Sequence, residues 1–107
     1  MKSIILTLML FSCSSFASEQ TGLASWYGSE NKTLLKSNNK APYAAHKTLK
    51  LGTKVLVTSI KTKKSVVVTI VDRGPYTHKR ILDVNIFAAK QLGMVSRGIT
   101  KVTLIPL

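Results

Sequence analysis

The chain has 107 residues, with 16 Lys and Arg against 4 Asp and Glu and a formal net charge of +12 at pH 7. That length leaves room for one domain, and the single cysteine, Cys13, cannot form an intramolecular disulfide, so the fold must stand on its apolar core. The charge favours anionic partners, or it describes only a solvated lysine-rich surface; composition leaves both readings open.

In chain order, Met1-Lys2 and the apolar run "SIILTLMLFS" read as the n-region and h-region of an export signal. About twelve apolar residues are too few for a spanning helix, which needs roughly 20. Two processing readings stand. Cleavage after Ala17, with small residues at −1 and −3, gives a signal peptide over 1–17 and a short linker over 18–21. Alternatively "LFSC" acts as a lipobox, giving a lipoprotein signal over 1–12 and Cys13 as a lipidated membrane anchor.

The domain itself is expected over 22–107. "GLASWYG" predicts a strand with Leu23, Ser25 and Tyr27 on one side and Ala24 and Trp26 on the other. The segment from Ser29 to Pro42 has no period and reads as a loop, with "SNN" as a turn signal. "TKVLVTSI" alternates around Val55 and Val57, and "SVVVTIVD" is β-branched almost throughout, as in a strand buried on both faces. The short polar segment between them predicts a hairpin. "IFAAKQL" supplies two helical turns, capped by Asn85, ended by Gly93 and carrying Lys90 where the helix dipole favours a cation. "GITKVTLIPL" closes the chain as a strand. Several strands with one short helix predict a small closed barrel, since so few residues cannot cover both faces of an open sheet.

The acidic residues are Glu19, Glu30, Asp72 and Asp83, and two of them flank one loop in "DRGPYTHKRILDV". That stretch, with "GLASWYG" and "AAHKTLKLGTKVLVT" before it and "RILDVNIFAAKQLGM" overlapping its end, resembles the RlpA-like family of bacterial cell-wall proteins in order and spacing. The resemblance covers nearly all of Gly22 to Leu107. It implies a mainly β fold, a six-stranded double-psi β-barrel with one short helix, akin to expansin and barwin domains. It implies lytic transglycosylase activity on peptidoglycan, cutting the MurNAc-GlcNAc β-1,4 bond of peptide-poor strands to leave 1,6-anhydro ends, with no cofactor. Full-length members also carry a carboxy-terminal SPOR domain, to which no segment of these 107 residues corresponds. Septal division proteins are implied partners, a monomer is expected, and the location is the periplasm or the periplasmic face of the outer membrane.

On this resemblance Asp72, the aspartate of "DRGP", is the catalytic acid and base, and Asp83 of "RILDV" supports it, as a matching pair lines the groove in expansins. Ser25, Tyr27, His46, Arg73 and Tyr76 are the expected substrate contacts, although His46 also fits a structural role. Arg73 should point away from the carboxyl group of Asp72, because a cation beside a proton donor opposes its protonation. One departure counts against catalysis and leaves a glycan-binding module as the alternative. Family members carry a glutamate in a "GExY" segment ahead of "AAH", whereas here "SNNKAPYAAH" has Lys40 in that region, and Glu30 is the nearest acid. Neither histidine pairs with cysteine or closely spaced carboxylates, so no metal site is expected. Nucleic-acid binding fits neither the export signal nor the absence of a basic stripe with interleaved aromatics.

Overall fold

The computed structural model describes residues 19–26, 41–77 and 79–107. The export segment with Cys13, most of the loop over 29–42, Tyr27 and His78 lie outside the described residues. The described residues form β1 (Gln20–Trp26), β2 (Tyr43–Ala45), β3 (Lys54–Ser59), β4 (Ser65–Asp72), β5 (Arg80–Val84), α1 (Ile86–Leu92) and β6 (Ile99–Pro106). The strands close in the order β1-β5-β2-β4-β3-β6, so the architecture is the expected six-stranded double-psi barrel. Two ladders, β1 with β5 and β2 with β4, are parallel, and the remaining four are antiparallel.

Alternation decides what fills the barrel. Val55 and Val57 of β3, Val68 and Ile70 of β4, and Val102 and Leu104 of β6 are fully buried, and Ala88, Ala89 and Leu92 of α1 join the same cluster. Each fully buried branched side chain contributes about 1.5–3 kcal/mol relative to exposure. Closure gives each described strand two neighbours, which suits a small fold without disulfides.

The structure corrects two expectations. The β-branched run of β4 is not buried on both faces: Val67 remains 40% exposed, because the outer wall there faces solvent and α1 covers only part of the barrel. Strand β1 begins at Gln20, inside the expected linker, because Gln20 to Ser25 pair continuously with β6. Gly22 also lets β1 approach β5, since a Cβ there would lie 2.9 Å from Cγ2 of Ile81.

The helix ends follow the sequence reading. Oδ1 of Asn85 accepts from the Ala88 amide at 3.1 Å and the Tyr43 amide at 3.2 Å, while its Nδ2 donates to the Ala41 carbonyl at 2.7 Å. One buried side chain therefore ties the start of α1 to β2. Gly93 ends the helix in the left-handed region, with φ 71°.

A second brace holds the end of β4. The His46 amide donates to the Asp72 carbonyl at 3.1 Å. Nδ1 of His46 accepts from the amides of Thr48 and Leu49, at 3.1 and 3.0 Å, so the ring proton belongs on Nε2, which donates to Oε1 of Gln20 at 3.0 Å. Nη1 of Arg73 then donates to the carbonyls of His46 and Leu49, at 3.2 and 2.5 Å.

Burial first, then the charges of Arg73 and Lys47, hold the His46 pKa below its ordinary 6.5. Because the folded value is the lower one, the neutral ring's contribution is complete above pH 6.5 and is lost as the pH falls through the folded pKa. Urea denaturation from pH 8 to 5 should show stability falling below pH 6.5 in the wild type and a flatter profile in His46→Gln; equal slopes would refute the assignment. Asn85→Ala should cost about 2–4 kcal/mol, a lost cap plus unsatisfied buried groups, read as a lower urea midpoint at unchanged m.

Candidate functional site

The two aspartates meet through β2. Ala45 lies opposite Asp72 of β4 on one side and Asp83 of β5 on the other, and Asp83 lies opposite Ser25 of β1. Asp72, Ala45, Asp83 and Ser25 thus form one row across four neighbouring strands. Two strand spacings separate the aspartate backbones by about 10 Å.

An irregularity in each parallel ladder makes the row possible. Ala44 pairs with Ile70 but Ala45 pairs with Asp72, so Val71 is passed over and β4 presents two residues against one of β2. Under strict alternation Asp72 would follow Val68 and Ile70 into the apolar core; the bulge re-aims it outward. The other shift, between Leu23 and Ala24, passes over Ile81 and brings Asp83 opposite Ser25.

The surroundings of the carboxylates differ. Asp72 is half-buried, and its Oδ1 accepts from the amide of Arg73 at 2.8 Å. Gly74, with φ 126°, turns the chain immediately afterwards. Asp83 is only 6% exposed and Ser25 only 7%. The Ser25 hydroxyl donates to Oδ1 of Asp83, and Nη1 of Arg80 donates to the Ser25 oxygen at 3.3 Å. A hydroxyl has one proton, and the arginine takes an acceptor position, so Ser25 presents that proton to Asp83. Asp83 is thus an acceptor toward Ser25.

The other expected contacts are dispersed. His46 is 3% exposed with both ring nitrogens engaged inside the protein, so it braces the site rather than offering a nitrogen to a sugar. The guanidinium of Arg73 is engaged by the His46 and Leu49 carbonyls. Tyr76 stands 80% exposed beyond the Gly74-Pro75 turn. Trp26 packs partly against the core and donates Nε1–H to the Val95 carbonyl at 3.0 Å. Tyr27, Glu30 and Lys40 lie outside the described residues. Among the described residues, no three His, Cys, Asp or Glu side chains gather in a way that could hold a metal ion.

Sequence reasoning missed Arg80. Its signal was present in "KRILDV", but without β5 as a strand and its shifted pairing with β1, the arginine had no assigned neighbour.

A family model described as lytic transglycolase matches residues 19–104. The endolytic peptidoglycan transglycosylase RlpA of Neisseria meningitidis is 45% identical over 84 residues, covering 74% of this chain and 35% of the relative. A probable protein of the same name from Synechocystis is 42% identical over 88 residues, covering 78% of this chain and 27% of the relative. The chain therefore spans about a third of the length of these curated relatives. Among solved structures, a variant Clavibacter michiganensis expansin in complex with cellohexaose has a TM-score of 0.64 at 19% identity, over 83% of this chain and 50% of that one, a likeness of fold. With most of the chain matched by the family model, and relatives above 40% identity over the same region, the chain belongs to the RlpA-like lytic transglycolase family.

Proposed function

We propose that this domain is an endolytic peptidoglycan lytic transglycosylase, cleaving the MurNAc-GlcNAc β-1,4 bond of peptide-poor glycan strands and leaving 1,6-anhydroMurNAc ends. The observation that carries the reading is the row Asp72, Ala45, Asp83, Ser25, which sets two differently held carboxyl groups along one wall of the barrel. Family membership supports it, as do the names of the matched relatives.

The chemistry asks little of the protein beyond positioning. Hydrolysis would require a second carboxyl group to activate water. Here the sugar's own C6 hydroxyl is the nucleophile, already tethered to the reacting ring. Asp72 gives its proton to the leaving glycosidic oxygen as the C1–O bond breaks. The C6 oxygen closes on C1, and the resulting Asp72 carboxylate takes the C6 hydroxyl proton, restoring the acid. Asp83, held as an acceptor by Ser25, supplies negative charge beside the positive charge that develops on the ring. The substrate lies outside the cytoplasm, so this reading gives the domain an extracytoplasmic location. Anchoring through Cys13 and contacts with division proteins belong to the same proposal.

A second reading is a glycan-binding module that does not cut, on the same wall. It is favoured by Lys40 standing in the region where relatives carry a glutamate, and by the expansin neighbour's complex with cellohexaose.

Mass spectrometry of peptide-free glycan strands after incubation decides between the two. Cleavage predicts new anhydro ends, reduced about 100-fold or more in Asp72→Asn; strands retained on the protein with no new ends would establish the binding module instead. Ser25→Ala should lower kcat about tenfold with KM little changed, because it loosens Asp83 without removing its charge. A change confined to KM would assign Ser25 to substrate binding alone.

A further inference from the structure

Arg80 has more capacity than its one bond uses. It lies at the start of β5, half-buried, opposite Leu23 and three residues before Asp83. Its backbone N–H donates to the Thr77 carbonyl at 3.3 Å, and its Nη1 is aimed at Ser25. A guanidinium carries five N–H donors in a planar fork. Among the described residues, the side chain that takes any of them is Ser25, through Nη1 alone. Arg73 differs, since its Nη1 is shared by two carbonyls of the His46–Leu49 segment.

A groove that presents Asp72 and Asp83 repels an anionic ligand unless a cation offsets them. Arg80 is placed to do so, one residue removed from Asp83 in the hydrogen-bond chain, with a donor pair of the shape that matches a carboxylate. An ammonium ion would supply charge at a point, without that fork.

We propose that Arg80 forms an anion subsite of the groove, binding a carboxylate carried by the glycan. Resting on the function proposed above, the ligand is the lactyl carboxylate that a muramic acid residue exposes when it bears no stem peptide. The subsite would make an uncapped carboxylate a positive requirement for binding. A strand whose lactyl group is blocked as an amide keeps its size and loses the charge that Arg80 reads.

The test uses the full chain and two labelled ligands, peptide-free glycan strands and the same strands with their carboxylates converted to primary amides. Binding is measured by fluorescence anisotropy at fixed ionic strength. The wild type should prefer the carboxylate strands about tenfold, as expected for one charge-assisted bidentate contact. Arg80→Gln should abolish the preference, Arg80→Lys should retain part of it, and Lys101→Gln, an exposed cation on β6, should leave it intact. The ratio of the two affinities is the readout, because loss of Ser25 positioning alone would weaken both ligands equally. A preference unchanged in both Arg80 variants overturns the subsite, as does equal wild-type binding of the two strands. Wild-type binding of neither strand sinks the glycan reading together with the subsite.

Discussion

Three residues, Tyr43 to Ala45, carry the constraint on which the site depends. They form the shortest strand described, yet that strand pairs in parallel with β4 and antiparallel with β5, so it alone bridges the two segments that bear Asp72 and Asp83. Ala45 is fully buried against Tyr43 and Val71, which leaves no space for a larger side chain between the flanking aspartates. So short a ladder gains little from its own hydrogen bonds. It is held by its ends instead: Asn85 takes the Tyr43 amide and the Ala41 carbonyl, and the residue after Ala45 donates its amide to Asp72. The helix cap and the histidine brace serve the site by keeping this bridge in register.

The same frame explains how a strongly basic chain manages its carboxylates. Asp72 is met by a backbone amide, and the arginine that follows it sends its guanidinium to two carbonyls. Asp83 is met by a hydroxyl, with Arg80 acting on it through that hydroxyl. The two acids lie in one row in unlike surroundings, one half-exposed at a turn and one buried beneath a serine.

Much of the frame was legible in the sequence because its signals are local. The alternation of Val55 and Val57, the hairpin between β3 and β4, the closing strand, and the helix with Asn85 and Gly93 at its ends all rest on period or capping chemistry within a few residues. Strands β2 and β5 gave no such signal. Three and five residues hold too few alternations to establish a period, and both draw their identity from partners distant in the chain. The even β-branched run of β4 misled for a related reason, since composition cannot tell a doubly buried strand from a barrel strand whose outer face stays wet.

The sequence by itself determined the fold class and the identity of the two aspartates. Its motifs placed both acids around one loop, and their rarity in so basic a chain drew attention to them. Tertiary structure alone decided their relation: the passed-over Val71 and Ile81, the position of Ala45 between the acids, and the chain from Arg80 through Ser25 to Asp83. These depend on which residue faces which across ladders that join distant parts of the chain. A shift of one residue reverses the face a side chain occupies, and that shift is set by closure of the whole barrel.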